Sequence, residues 1–164
     1  MKVTTLKSVQ NLPITLDEAW EFFATPKNLQ KITPADMKFE ILSDLGDGKV
    51  YPGQFIKYYV TPFLGIKLFW VTEITQVVEK KYFVDDQRVG PYGIWHHQHH
   101  FREIEGGVEM TDIVDYSVPF GPLGAIAKAL FVKREVEKIF SFRYKALEEY
   151  FGKIGAPKPL VETV

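Results

Sequence analysis

All four histidines of the chain fall inside Trp95-His96-His97-Gln98-His99-His100-Phe101. Imidazole titrates near neutral pH and ligates metals through a ring nitrogen, so such a cluster could move protons, hold an ion or orient a polar group. Which of these it can do depends on which rings share a side. In an extended chain successive side chains point to opposite faces. Trp95, His97, His99 and Phe101 then share one face, and His96, Gln98 and His100 the other. The ring-bearing set is the expected inward one.

In the segment that follows, Met110, Asp112, Val114, Tyr116 and Val118 form the comparable inward set. A tight turn at Gly106-Gly107 places Asp112 opposite or diagonal to His99, and predicts a His99–Asp112 hydrogen bond. In the preceding segment Phe83, Asp85 and Gln87 alternate the same way, bringing Asp85 and Gln87 to the same interior. So many buried polar groups need partners, water or a ligand. Three uses compete: a network bracing the interior, contacts that orient a ligand's polar end, and catalysis or metal binding, with His97, His99 and Asp112 as the catalytic candidates. Two histidines two apart on a strand can chelate zinc and an aspartate could complete the set. Nothing marks a third ligand, so neither a metal nor a cofactor is expected. No Gly-x-Ser-x-Gly elbow and no glycine-rich phosphate loop is present.

The elements that must position these residues can be read along the chain. Residues 3 to 12 alternate as a strand. Thr15-Leu16-Asp17-Glu18 has capping-box spacing and opens a helix over 15 to 23. Thr25-Pro26 supplies a cap and a first-turn proline for a second short helix that Pro34 closes. Strand-length runs follow at 37–43, 53–61, 66–76, 81–88, 93–104 and 108–118, and their short links imply antiparallel hairpins. Residues 123 to 151 lack proline and repeat apolar residues at helical spacing, which predicts one helix roughly 42 Å long. The expectation is α+β: a curved antiparallel sheet of about seven strands around a long C-terminal helix. One domain over 1–152 and a frayed tail over 153–164 complete it.

Composition narrows the function classes. Twenty basic and 21 acidic residues give a formal charge of −1, so the electrostatic footprint of nucleic-acid binding is missing. There is no cysteine, which removes disulfides, thiolate metal sites and thiol nucleophiles and suits a cytoplasmic address. Thirteen Phe, 8 Tyr and 3 Trp exceed what a minimal core needs and suit a lined pocket. In a meander alternate connections share an end, so 62–65, 90–93 and 119–124 are neighbours. Their Phe63, Leu64, Tyr92, Phe120 and Leu123 are expected either at a cavity mouth or tucked inward.

The order of elements is similar to the START/Bet v 1-like superfamily, also called SRPBCC or helix-grip proteins. Asn28-Leu29-Gln30-Lys31-Ile32-Thr33-Pro34, Trp70-Val71-Thr72-Glu73-Ile74 and Phe83 to Tyr92 resemble a bacterial subgroup described as polyketide cyclase/dehydrase-like or CoxG-like. That subgroup's strand motif reads Trp-Glu-His-x-His-x-Phe; here His96 stands in place of the Glu, while His97 and His99 match. The resemblance implies an apolar cavity between sheet and helix.

The leading expectation is binding or transport of a small hydrophobic ligand, such as a lipid, polyketide or quinone. Tyr58, Trp70, Phe83, Trp95, Phe101 and Tyr116 are its wall candidates, and Asp85, Gln87, His97, His99 and Asp112 its polar contacts. A cyclase- or dehydratase-type enzyme using a His–Asp pair is the first alternative. A protein- or membrane-docking module working through the mouth is the second.

Overall fold

The computed structural model describes residues 3–46, 48–61, 65–118, 125–155 and 162–163. Its frame is an eight-stranded sheet in the order β2-β3-β4-β5-β6-β7-β1-β8. The strands are β1 (Val3–Leu12), β2 (Glu40–Ile41), β3 (Phe55–Val60), β4 (Leu68–Val78), β5 (Tyr82–Val89), β6 (Ile94–Ile104), β7 (Gly107–Ser117) and β8 (Glu162–Thr163). Every pairing is antiparallel. Two helices complete it, α1 (Leu16–Phe23) and α2 (Ala125–Phe151).

Local chemistry explains the boundaries. At the start of α1 the Thr15 hydroxyl accepts from the Glu18 N–H, and the Thr15 N–H donates to the Glu18 carboxylate, so the capping box forms as its spacing requires. The second short helix forms as 3-10 geometry over Pro26–Ile32. Its expected cap fails because the Thr25 hydroxyl donates backward to the Glu21 carbonyl at 2.7 Å. The strand expected over 37–43 shrinks to Glu40–Ile41. A 3-10 turn over Ala35–Met37 occupies its start, and Lys38 in the left-handed region (φ 44°) breaks the extended path. Glu162–Thr163, in the tail expected to fray, pair with Leu6 and Lys7 of β1.

Register decides which residues meet. Gly106, at φ 80°, sits in the two-residue turn between β6 and β7, a conformation that suits glycine. That turn sets His99 directly across from Asp112, while the β5–β6 pairing sets Asp85 across from His97. β4 and β5 slip register at Val71/Thr72 and at Ile74/Gln76. Such irregularities locally increase twist and bend a sheet.

The core fills the concave side. Leu6, Leu12, Val108, Met110 and Val114 of β1 and β7 are fully buried along with Val136 and Leu147 of α2. Fully burying such side chains contributes about 1.5–3 kcal/mol each. Trp20 and Phe23 of α1 set their rings against Phe101 of β6 with centroids 5.8 and 5.4 Å away. The Gln10 amide of β1 donates to the Tyr144 carbonyl of α2 at 2.8 Å, tying helix to sheet. Among the described residues no helix is long and apolar enough to cross a membrane.

Candidate functional site

Between the sheet, the two 3-10 segments and α2 lies a cavity of about 170 Å³. Tyr58, Trp70, Tyr92 and Trp95 build one aromatic wall, with Trp70 stacked on Tyr58 at 5.9 Å and edge-on to Trp95 at 5.5 Å. Two of its polar groups are spent internally: the Trp70 indole N–H donates to the Thr72 hydroxyl, which also bonds the Tyr58 hydroxyl. Burial pushes the Tyr58 and Tyr92 hydroxyls up, so both stay neutral and the wall presents no charge.

The acidic and basic groups of the cavity lining sit together, in the His–Asp cluster. His99 is held between two carboxylates, with Nε2 2.9 Å from Asp85 and Nδ1 2.9 Å from Asp112. His97 directs Nε2 to the same Asp112 oxygen at 3.1 Å and places Nδ1 3.6 Å from Asp85. Behind them, Arg143 of α2 sets Nε 3.3 Å from the other Asp112 oxygen and lays its guanidinium over the Phe23 ring. Phe83 stacks on His99 at 4.1 Å, and Phe140 packs edge-on to His97 at 5.5 Å.

The charges follow from these contacts. Burial works against protonation of His99, but the Asp112 and Asp85 carboxylates together outweigh it and raise its pKa. In the protonated form both of its nitrogens carry hydrogen, Nε2 bonded to Asp85 and Nδ1 facing Asp112. The 3.4 Å approach of Arg143 Nη2 to His99 Nδ1 is, in that state, a contact between donors. His97 goes the other way: burial first, and then the charge of His99, push it down to about 4 despite the aspartates. Burial opposes ionisation of Asp112, yet Arg143 and the two histidines hold it well below the usual carboxylate range. Asp85 is lowered by the same balance, with His99 its main partner. The cluster therefore gathers two carboxylates held ionised, one guanidinium, and one imidazole whose protonation the carboxylates favour.

Most of the expected residues come together here, and some do not. Tyr58, Trp70, Phe83, Asp85, Trp95, His97 and His99 line the cavity. Gln87 leaves it: its amide donates to the Tyr92 carbonyl and accepts from the Tyr92 N–H, so the side chain is consumed in bracing the β5–β6 turn. Phe101 is drawn away to the rings of Trp20 and Phe23, and Tyr116 sits behind Trp95 and Tyr92. Asp112 lies one layer back, under both histidines. Tyr92 is buried and on the wall, the inward alternative for that loop. Phe63, Leu64, Phe120 and Leu123 lie outside the described residues.

The sequence reading missed Arg143. Its signal was present: Val132, Val136, Phe140 and Leu147 mark the buried stripe of α2, and position 143 falls on that stripe. An arginine in such a place needs a buried anion, and Asp112 supplies it. The third possible metal ligand is also present, because Asp85 offers an oxygen within 4.8 Å of a nitrogen from each of His97 and His99.

No family model and no curated protein matches the sequence. Solved structures do. Protein Ms6760 from Mycobacterium smegmatis is 19% identical, with a TM-score of 0.64 over 89% of both chains. Protein CV1439 from Chromobacterium violaceum is 13% identical, with a TM-score of 0.69 over 92% of this chain and 98% of that one. Ara h 8.0201 is 20% identical, with a TM-score of 0.57 over 91% of this chain and 97% of that one. These likenesses are in the fold, and by its structure, a curved antiparallel sheet with one long C-terminal helix and short helical segments after the first strand, this chain has the helix-grip fold.

Proposed function

We propose that the chain binds a small, mostly apolar molecule in the cavity between sheet and helix, with the His–Asp cluster orienting one polar group on it. The observation that carries this reading is an aromatic-walled cavity of about 170 Å³ whose acidic and basic side chains, Asp85, His97, His99 and Arg143, gather together. Ligand pockets for drug-sized molecules run to about 300–1,000 Å³, while a cavity of about 150 Å³ holds one benzene. The occupant is therefore compact, on the order of one or two rings, smaller than a lipid or a multi-ring polyketide. Transfer of its apolar surface from water favours binding by about 25 cal/mol per Å².

The test is a titration with 2-naphthol and with indole, read by isothermal titration calorimetry. A saturable change at one equivalent, weakened about tenfold or more by the cavity-filling Ile56→Phe, supports the reading. No saturable change with either compound, together with an unchanged melting temperature in their presence, would overturn it.

A further inference from the structure

We propose that Asp85, His97 and His99 form a site for one divalent first-row transition ion, such as Zn²⁺, Fe²⁺ or Co²⁺, in the His–Asp cluster of the cavity. Two imidazoles and one carboxylate are a donor set that suits such ions, and three protein ligands leave coordination positions open.

Geometry is the first support. At metal–ligand bonds of about 2.0–2.2 Å, neighbouring donors around an ion sit roughly 3.0–3.5 Å apart. Asp85 Oδ2 is 2.9 Å from His99 Nε2 and 3.6 Å from His97 Nδ1. All three donors lie within 4.8 Å of one another. They stand on paired strands, Asp85 directly across from His97, so the spacing is fixed by sheet register rather than by a loop.

The second support is the layer behind. Metal-bound histidines give their other ring N–H to a carboxylate or carbonyl, which fixes the tautomer and the ring orientation. Here one Asp112 oxygen receives both: His97 Nε2 at 3.1 Å and His99 Nδ1 at 2.9 Å. That arrangement points His97 Nδ1 and His99 Nε2, the two remaining nitrogens, toward Asp85. Arg143 Nε stands 3.3 Å from the other Asp112 oxygen, an ion pair without a hydrogen bond, so charge keeps the backing carboxylate in place. The third support is access, because Asp85, His97 and His99 all line the cavity, whereas Asp112 does not. A bound ion would take the place of the hydrogen between His99 and Asp85.

The experiment uses the full chain without a histidine tag, stripped by chelator and titrated with Co²⁺ alone. Metal is measured in the absence of any organic ligand, so a failure here leaves the apolar-cavity reading standing, and the reverse. The expected result is one equivalent bound at micromolar concentration or tighter, with visible d–d absorption and selective paramagnetic broadening of the His97 and His99 resonances. Asp85→Asn and His99→Gln should each weaken binding by more than about 100-fold. Asp112→Asn should weaken it by about 10–100-fold. The outward His96→Gln/His100→Gln double variant should bind within about twofold of the original. The proposal is overturned by no stoichiometric Co²⁺ binding, or by loss of binding in the His96/His100 variant. Should an inward variant not fold, the broadening in the unsubstituted protein decides, and its absence at His97 and His99 overturns the proposal.

Discussion

Strand β6 presents two pairs of histidines to two different environments. On its concave face His97 and His99 are buried beside Asp85, Asp112 and Arg143 and shift in opposite directions, His97 down through burial and the charge of His99, His99 up because the two aspartates outweigh its burial. On its convex face His96 bonds Asp86 at 2.7 Å and His100 bonds the Gln98 amide oxygen at 3.0 Å, all of them partly exposed to water. The same side chain, one residue away on the same strand, meets similar partners under different dielectric conditions. Water screens the outer pairs, so their geometry carries little free energy. Inside, each charge must be matched, and removing one member strands the rest.

The sharpest way to break this contrast is to remove the acceptor on each face. Asp112→Ala should destabilise the fold by about 3–5 kcal/mol, because Arg143 is left as an uncompensated buried charge. Asp86→Ala on the convex face should change stability by no more than about 1 kcal/mol. Urea unfolding of both variants checks the pair, and equal losses would show that burial does not separate the faces.

Arg143→Met comes next, since it keeps most of the side-chain volume while removing the charge that faces Asp112. Stability should fall by about 2–4 kcal/mol at neutral pH. The loss should shrink on acidification as Asp112 takes up a proton.

The pH response of the metal-free protein gives a third, smaller effect. His97 is depressed to about 4 in the fold, so its neutral-state stability is present above the unfolded value near 6.5 and is lost as pH falls from there toward 4. His99 is raised, so its contribution is full below about 6.5 and is lost as pH rises through its folded value. Together the two place the stability maximum of this pair near its unperturbed pKa. Histidine NMR titration should show the His97 ring unmoved between pH 7 and about 5; a midpoint near 6.5 would contradict the buried assignment. The smallest change is expected for the His96→Gln/His100→Gln variant, within about 0.5 kcal/mol of the original in thermal or urea melts.

Alternation made much of this arrangement legible before any coordinates. The two faces of β6, the inward set of β7 and the His99–Asp112 contact all follow from a period of two plus a short glycine turn. What the pattern could not give was competition between partners. Gln87 has the correct parity for the cavity, yet the backbone of Tyr92 satisfies its amide first. Phe101 has it too, but α1 packs two rings onto it, and strand periodicity carries no information on where α1 docks. Thr25 reads as a cap until its hydroxyl finds the Glu21 carbonyl behind it. Arg143 stayed hidden because its partner is 31 positions away on another element, and only the crossing of α2 over the sheet brings them together.

The doubly used oxygen of Asp112 also bears on how this sequence can change over time. His97, His99 and Arg143 all depend on that one carboxylate, so the second substitution among them should cost less than the first. A lineage leaving this arrangement by single steps must cross its deepest loss of stability at the first step. Simultaneous apolar replacement of the whole group has no such barrier, because buried ion clusters can be exchanged for well-packed side chains at little or no loss. The cluster is therefore expected to be inherited intact or absent altogether, and a survey of related chains should find few that keep only part of it.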